Sequence, residues 1–370
     1  MASVLISGGA GFIGQNLVHT WHNMRPDDRL TVIDAMTYAA DIRSLEPLIA
    51  SRKINFVKGS VNDAALLREL FESYQFTHVA HLAAESHVDR SIDDPEAFLT
   101  TNVLGTYTML KTSLDFWRES SLLDQSRFLH VSTDEVYGSL AADEQPFCET
   151  TPYRPNSPYA ASKAASDHLV RSFCVTYGLP AVITNCSNNY GPYQHPEKLI
   201  PLMIIHALEG KALPIYGDGL NIRDWLHVSN HCEALISVIE RGRAGETYNI
   251  GGGNEQNNRN VVGLICDIID RAFVTNPKLK YRFSACPAAN DQSCRSLITF
   301  VADRPGHDHR YAINANKLAT ELGTHCSIDF ANGLDQTITW YIENEEWWRA
   351  VISGAYRIWI EKNYGHRTAV

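Results

Sequence analysis

The stretch SPYAASKAASDHLVRSF places Tyr159 and Lys163 four residues apart. On a helix that spacing sets a phenol and an ammonium on one face, about 6 Å apart. Such an ammonium favours phenolate and brings the tyrosine pKa towards the working pH, so Tyr159 can take a hydroxyl proton while a hydride leaves the same carbon. By itself the spacing is common on solvated helix faces. A second constellation lies in RFLHVSTDEVYGS, residues 127–139, where an apolar strand breaks into Thr133, Asp134 and Glu135. A hydroxyl and two carboxylates at the tip of a buried strand are costly to desolvate unless they have partners or a task. Adjacent strand residues face opposite ways. Asp134 and Glu135 therefore share a pocket only if the chain leaves the strand at Thr133, as the turn residues that follow allow. Two carboxyls in one dry pocket with opposed protonation states can divide acid and base work. The plainer alternative is an acid pair at a helix start, set against the dipole.

A third constellation opens the chain. VLISGGAGFIGQNLV spaces Gly8, Gly11 and Gly14 as GxxGxxG, between a strand and a helix. Glycines there permit a tight turn and a close approach to a pyrophosphate seated on the helix N-terminus. Asp34 ends the next strand, LTVID, where a carboxylate would hold ribose hydroxyls and repel a 2′-phosphate, which favours NAD over NADP.

The elements that must position these groups alternate through the first half. SVLIS, LTVID, INFVKG, THVAHL, RFLHVS and AVITN read as strands, and NDAALLRELFESY and TNVLGTYTMLKTSLDFW as amphipathic helices. That alternation predicts an α/β fold, a doubly wound parallel sheet covered on both faces. Beyond about residue 187 the helices EKLIPLMIIHALEG and RNVVGLICDIIDRAF lie among Pro- and Gly-rich loops, as in a smaller lobe over the sheet edge. A chain of 370 residues is long for one compact unit and fits two cooperating lobes. The net charge of −10 argues against general nucleic-acid binding, while leaving room for a local basic pocket. No apolar run reaches the roughly 18 residues that spanning a membrane requires. Residues 1–7, MASVLIS, read as a first strand rather than a signal peptide, and a cytoplasmic location is expected. The eight cysteines form no CxxC pair, which suggests incidental thiols in a reducing compartment and no metal.

Joined to an N-terminal NAD site, the Tyr159–Lys163 pair resembles the extended short-chain dehydrogenase/reductase superfamily, whose members mostly act on nucleotide sugars. STDEVYG is similar to the signature of the dTDP-glucose 4,6-dehydratases. LAAESHVDRSI, TNCSNNYGPYQHPEKLIPL, IRDWLHV, GETYNIGG, ADRPGHDHRYAI and SGAYRIWIEKNYG follow in that family's order, so the likeness covers nearly the whole chain. The resemblance implies a Rossmann-type NAD-binding domain over 1–186, rejoined by the chain around 225–250, and a C-terminal α/β lobe over 187–370 that mainly binds a nucleotide sugar. It also implies a mechanism. Tyr159, with Thr133 at the C4 oxygen and Lys163 behind it, removes the C4 hydroxyl proton as hydride passes to NAD. The ketone acidifies C5–H, which Glu135 removes as base. Asp134, protonated, gives its proton to the departing C6 hydroxyl, and hydride returns to C6.

The same resemblance implies a cofactor site of Gly8, Gly11, Phe12, Ile13, Gly14, Asp34, Thr37, Ser60, Val61, Leu82, Ala83, Ala84 and Asn102, with Tyr159 and Lys163. Ser86 would face the sugar and nicotinamide, Thr133 the C4 oxygen, and Asn189 the diphosphate or sugar, with Lys198 and Leu199 beginning the helix that covers it; Arg223, Arg304 and His307 would contact the diphosphate. Pro214, Ile215 and Tyr216 would line the base pocket, and Asn258 would add a polar contact. Taken singly, each arginine fits a surface salt bridge and Asn102 a helix polar residue. Four positions depart from the commoner pattern: Ser60 where Asp meets the adenine, which weakens that contact or moves it to the Val61 backbone; Ala35 where Lys is frequent; His227 where Tyr is usual; and His309 where Arg is usual. The last two bear on nucleotide preference. In relatives, helices like 93–117 and 157–178 form a four-helix bundle, so a homodimer is expected, with burial inside one subunit as the alternative. Related UDP-sugar dehydratases, decarboxylases and epimerases are the nearest competing activities. Asp134 counts against the last two, since neither needs an acid at C6. A non-catalytic NAD-sensing protein is a remoter option, against the intact set of active residues.

Overall fold

Six apolar runs become strands in the order expected: β1 (Ser3–Ser7), β2 (Arg29–Asp34), β3 (Ile54–Lys58), β4 (His78–His81), β5 (Arg127–Thr133) and β6 (Ala181–Cys186). They are followed by β7 (Asn188–Tyr190), β8 (Leu213–Tyr216), β9 (Ile222–His227), β10 (Thr247–Ile250), β11 (Glu255–Asn257) and β12 (Ile298–Val301). The computed structural model describes residues 1–303 and 308–352. Seven strands form one parallel sheet in the order β10-β6-β5-β4-β1-β2-β3. This is the Rossmann order with one strand added outside β6, and it reverses direction between β1 and β4, where open α/β sheets bind ligands at their carboxyl ends.

The sheet is covered on both faces, which is why its strands are apolar without alternation. In β1, Val4 and Ile6 pack with Leu17, Val18 and Trp21 on one side. Leu5 packs with Phe71 and Trp117 on the other. Local signals place the helices. Asp63 caps Ala64–Tyr74 by accepting from Leu66 N at 3.0 Å. Helix Pro158–Tyr177 starts with Ser157 Oγ accepting from Ala160 N at 3.1 Å and Pro158 at its first position. It ends at Gly178, which has φ +70°. Caps of this kind are worth about 1 kcal/mol each.

The second lobe has its own apolar core, where helices Leu199–Leu208, Asn258–Thr275 and Phe330–Glu343 pack around Leu213, Ile215 and Trp225. Its strands make a three-stranded sheet, β11-β9-β7, and a parallel pair, β12 with β8. Between these pieces, helix Val228–Arg241 packs on helix Phe12–Met24, and β10 pairs with β6 in the large sheet. Among the described residues no helix is long and apolar enough to cross a membrane.

Candidate active site at the carboxyl ends of the parallel strands

The glycine loop leaves β1 at Gly8, which has φ +71°, and a Cβ there would come within 2.7 Å of Ala83 N. A Cβ on Gly14 would come within 2.6 Å of Gly9 Cα, so the helix can lie against the loop only without one. A Cβ on Gly11 would meet only the Gly8 carbonyl oxygen, at 3.3 Å, because that position faces the cavity. Helix Phe12–Met24 begins at Gly11 with no side-chain cap, leaving its first amide N–H groups for an anion. Asp34 accepts from Ala10 N at 3.0 Å and Met36 N at 2.8 Å, which ties the end of β2 to the loop, and burial raises its pKa. Gly8, Gly11, Phe12, Ile13, Gly14, Asp34, Thr37, Ser60, Val61, Leu82, Ala83 and Ala84 all line one cavity with Tyr159 and Lys163. The residues present fit a dinucleotide diphosphate: a cradle that a side chain would fill and an uncapped helix end.

The tip of β5 supplies the reactive groups. The strand ends at Thr133 and Asp134–Tyr137 forms a single 3₁₀ turn, so Asp134 and Glu135 both reach the cavity that Thr133, Tyr159 and Lys163 line. Thr133 Oγ1 shares a hydrogen bond with the Tyr159 hydroxyl, accepts from Glu135 N at 3.3 Å and lies 3.5 Å from Asp134 Oδ1. Asp134 is 2 % exposed, and its Oδ2 has no hydrogen-bond partner among the described residues. Burial first, then the charges of Glu135 and Asp224, hold its pKa well above the usual carboxylate range. Burial thus favours the protonated form of Asp134. The tyrosine departs from expectation. Burial, followed by the Glu135 charge, pushes the Tyr159 phenol up, against the Thr133 hydrogen bond, and Lys163 does not reverse this. Lys163 donates to Val131 O at 2.8 Å, and burial lowers its own pKa.

Beneath these groups runs a buried polar chain that sequence patterns had not suggested. Asp167, 2 % exposed, accepts from Ser132 Oγ at 2.9 Å and Tyr153 OH at 3.0 Å, and its Oδ1 lies 3.1 Å from His130 Nε2. Asn185 Nδ2 donates to Tyr153 OH at 3.2 Å and to Thr133 O at 3.3 Å. Burial, opposed by Lys163, leaves Asp167 at about 6. Cys186, at the end of β6, also lines the cavity, and its thiol is pushed up to about 12, chiefly by burial. The one sequence clue to Asp167 was its place four residues after Lys163, on the same helix face.

On the substrate side the expectations separate. Ser86, Asn189 and Lys198 line the cavity. Asn189 is already engaged, with Nδ2 donating to Ser187 O at 2.9 Å and Oδ1 lying 2.9 Å from His231 Nδ1. Leu199 is not on the wall, because its side chain packs on the second-lobe core. Ile215 is likewise turned away: β8 alternates, so Leu213 and Ile215 enter that core while Pro214 and Tyr216 take the opposite face. Arg223 is 6 % exposed and donates to Ile222 O at 2.7 Å and Asp308 O at 3.0 Å, with its charge near Asp134. Asn258 opens its helix, with its N–H bonded to Asn221 O at 3.1 Å. Pro214, Tyr216, Arg223 and Asn258 belong to the second lobe and are not among the residues lining this cavity. Arg304 and His307 lie outside the described residues.

Two further expectations are corrected. Asn102 does not line the cavity; at 1 % exposure it accepts from Glu85 N at 2.8 Å and donates to Glu85 O at 3.0 Å and Ser162 Oγ at 2.8 Å. It sits in a π-helical turn, Leu99–Gly105, which rotates it inward to clamp the loop after β4 onto the Tyr159 helix. His227 does not face the cavity either. It caps helix Val228–Arg241, with Nδ1 accepting from Ser229 N at 3.3 Å, and burial lowers its pKa to about 4, so it brings no charge to a nucleotide.

This arrangement can bind a dinucleotide, exchange a hydroxyl proton at Tyr159, and offer one carboxyl as acid beside a second. Comparison with known proteins agrees. The family model described as GDP-mannose 4,6 dehydratase matches residues 5–337. The chain is similar to the dTDP-glucose 4,6-dehydratase of Salmonella typhimurium, 50 % identical over 98 % of this chain and 99 % of that one. It is equally similar to the enzyme of that name from Xanthomonas campestris, 50 % identical over 97 % and 98 %. Among solved structures it resembles dTDP-glucose 4,6-dehydratase of Streptomyces venezuelae with NAD and TYD bound, TM-score 0.83, 42 % identical over 94 % and 99 %. It also resembles that of Bacillus anthracis in complex with NAD, TM-score 0.81, 40 % identical over 95 % and 100 %. A UDP-glucose 4-epimerase of Thermus thermophilus, TM-score 0.78 and 24 % identical over 92 % and 99 %, shares the fold. The chain belongs to the dTDP-glucose 4,6-dehydratase family, within the nucleotide-sugar dehydratases that the GDP-mannose 4,6 dehydratase model describes.

Proposed function

We propose that this chain is a hydro-lyase that converts dTDP-glucose to dTDP-4-keto-6-deoxyglucose with NAD as a resident cofactor. The observation that carries this is Asp134, a carboxyl only 2 % exposed, set beside Glu135 and within reach of Thr133 and Tyr159, where burial favours its protonated form. Bound NAD supplies positive charge and a reversible two-electron store. Burial alone opposes ionisation of Tyr159, so it is the added positive charge that favours its phenolate; in that form Tyr159 takes the C4 hydroxyl proton beside Thr133, while Lys163 anchors the end of β5 behind it. Glu135 removes the C5 proton that the new ketone acidifies. Asp134 gives its proton to the C6 oxygen, which leaves as water, and Glu135 returns a proton to C5 as the stored hydride goes back to C6. An epimerase or decarboxylase would have no use for that buried acid, which argues for dehydration among the activities found on this fold.

Residues 1–186 with β10 hold the cofactor in this scheme, and the remainder mainly the nucleotide sugar. A homodimer in the cytoplasm belongs to the same proposal. Its support is the apolar surface on the two helical stretches: Leu99, Leu104, Tyr107 and Val175 are 45–74 % exposed. Sedimentation should give twice the mass of one chain, and Leu104→Glu should release monomer. The activity is tested with dTDP-glucose tritiated at carbon four. The product should have lost one water and carry the label at carbon six; label lost to solvent or left in place would refute the scheme. Parallel incubations with UDP-, GDP- and CDP-glucose read the nucleotide preference.

A further inference from the structure

Three segments from both lobes converge on one carboxylate at the edge of the cavity. Glu197 precedes helix Leu199–Leu208 of the second lobe and is 5 % exposed. The Tyr38 hydroxyl, from the loop after β2, donates to Glu197 Oε1 at 3.1 Å. Arg90, from the short helix Val88–Asp93 that follows the loop after β4, donates through Nη2 to Oε2 at 3.4 Å. The Arg90 guanidinium lies 3.7 Å above the Tyr38 ring, and His195 packs edge-on against the same ring. His87 Nε2 and His195 Nδ1 lie 3.9 and 3.7 Å from the Glu197 oxygens. Alongside, Lys198 Nζ donates to Ser86 O at 3.3 Å.

Placing a carboxylate this deep is unfavourable unless its partners are well arranged, and the second lobe has an ample apolar core without it. Glu197 lines the cavity, as do Thr37, Ala39 and Ala40 around Tyr38 and Ser86 near Arg90. Its hydrogen bonds therefore join the two loops that border the dinucleotide half to the segment that borders the substrate half. We propose that Glu197 is a positioning residue that ties the two lobes together across the cavity and retains the dinucleotide between turnovers. The inference rests on the cavity being an NAD site. A reaction that returns its electrons in every cycle never requires the cofactor to leave, so a tie that slows exchange has no kinetic cost.

The test measures NAD in the purified full-length protein, by acid release and chromatography, after extended desalting. The unaltered protein should keep its NAD. Glu197→Gln should release it about tenfold faster or more, because hydrogen bonds to a charged group are replaced by weaker neutral ones. Its turnover without added NAD should fall accordingly and climb saturably as NAD is supplied, a rescue that a folding defect would not show. Tyr38→Phe deletes one hydroxyl and leaves the ring under Arg90, so it should shift release in the same direction by less. Glu197→Gln and Tyr38→Phe proteins that keep NAD as long as the unaltered one, or lost turnover that added NAD does not restore, would overturn the tie. An unaltered protein that neither carries nor binds NAD would overturn the cofactor reading beneath it, while retention in both variants would leave that reading standing.

Discussion

Two strand ends with only β4 between them solve opposite problems. At the end of β1 the site is made by removing side chains: Gly8, Gly11 and Gly14 leave backbone amides and a helix terminus exposed to a diphosphate. At the end of β5 it is made by burying side chains that resist burial: Thr133, Asp134, Tyr159 and Lys163 are each below 9 % exposed. The first end binds charge with fixed dipoles and needs no titrating group. The second must hold protons in a chosen place, and it does so by desolvation, with Asp134 and Tyr159 pushed up and Lys163 pushed down. Binding is thus supplied by geometry, and reactivity by the cost of burial.

Substitutions can break this contrast, and the largest effects belong to the β5 end. Glu135→Gln should abolish solvent deuterium incorporation at C5 while oxidation at C4 persists, seen as reduced cofactor by absorbance; undiminished turnover would remove Glu135 from the mechanism. Asp134→Asn keeps the shape but has no acidic proton to give, and turnover should fall by roughly 10²–10⁴-fold, with the fold intact because an isosteric neutral group enters a site where burial already disfavours charge. At the β1 end the penalty is steric. Gly14→Ala should cost about 1–3 kcal/mol in thermal unfolding and lower the bound NAD, with any remaining loaded enzyme turning over normally.

The smallest effect sharpens the electrostatic side. Asp167 has its pKa raised from 3.8 to about 6, chiefly by burial. A carboxyl raised in the folded state binds more protons there than in the unfolded chain, so its contribution to stability is complete below pH 3.8 and is lost as pH climbs through about 6. Asp167→Asn should flatten that decline in denaturant melts taken between pH 4 and pH 6.5. A slope unchanged by the substitution would show that Asp167 does not carry it.

What was legible in advance was what neighbouring residues decide among themselves. The glycine spacing, the Tyr159–Lys163 pair and the break at Thr133 are each set within a few residues, by sterics or by the period of a helix. Asn102 misled because a π-helical turn rotates it away from the direction an α-helix would give. Ile215 misled because the facing of β8 is set by its pairing with β12 and by the core beneath, more than eighty residues along the chain. The Tyr159 pKa misled because proximity to Lys163 is a local fact, whereas burial is a property of the whole molecule.

The sequence by itself determined the local chemistry: which strand ends carry glycines, which carries the acids, and which helix carries the base, because these follow from short-range sterics and hydrogen bonding. Tertiary structure alone decided which of those groups share one cavity, which carboxyl is pushed towards its protonated form, and that Glu197 meets Tyr38 and Arg90 from the other lobe. Solvent exclusion and long-range contacts exist only once the chain is closed, and desolvation sets these protonation states.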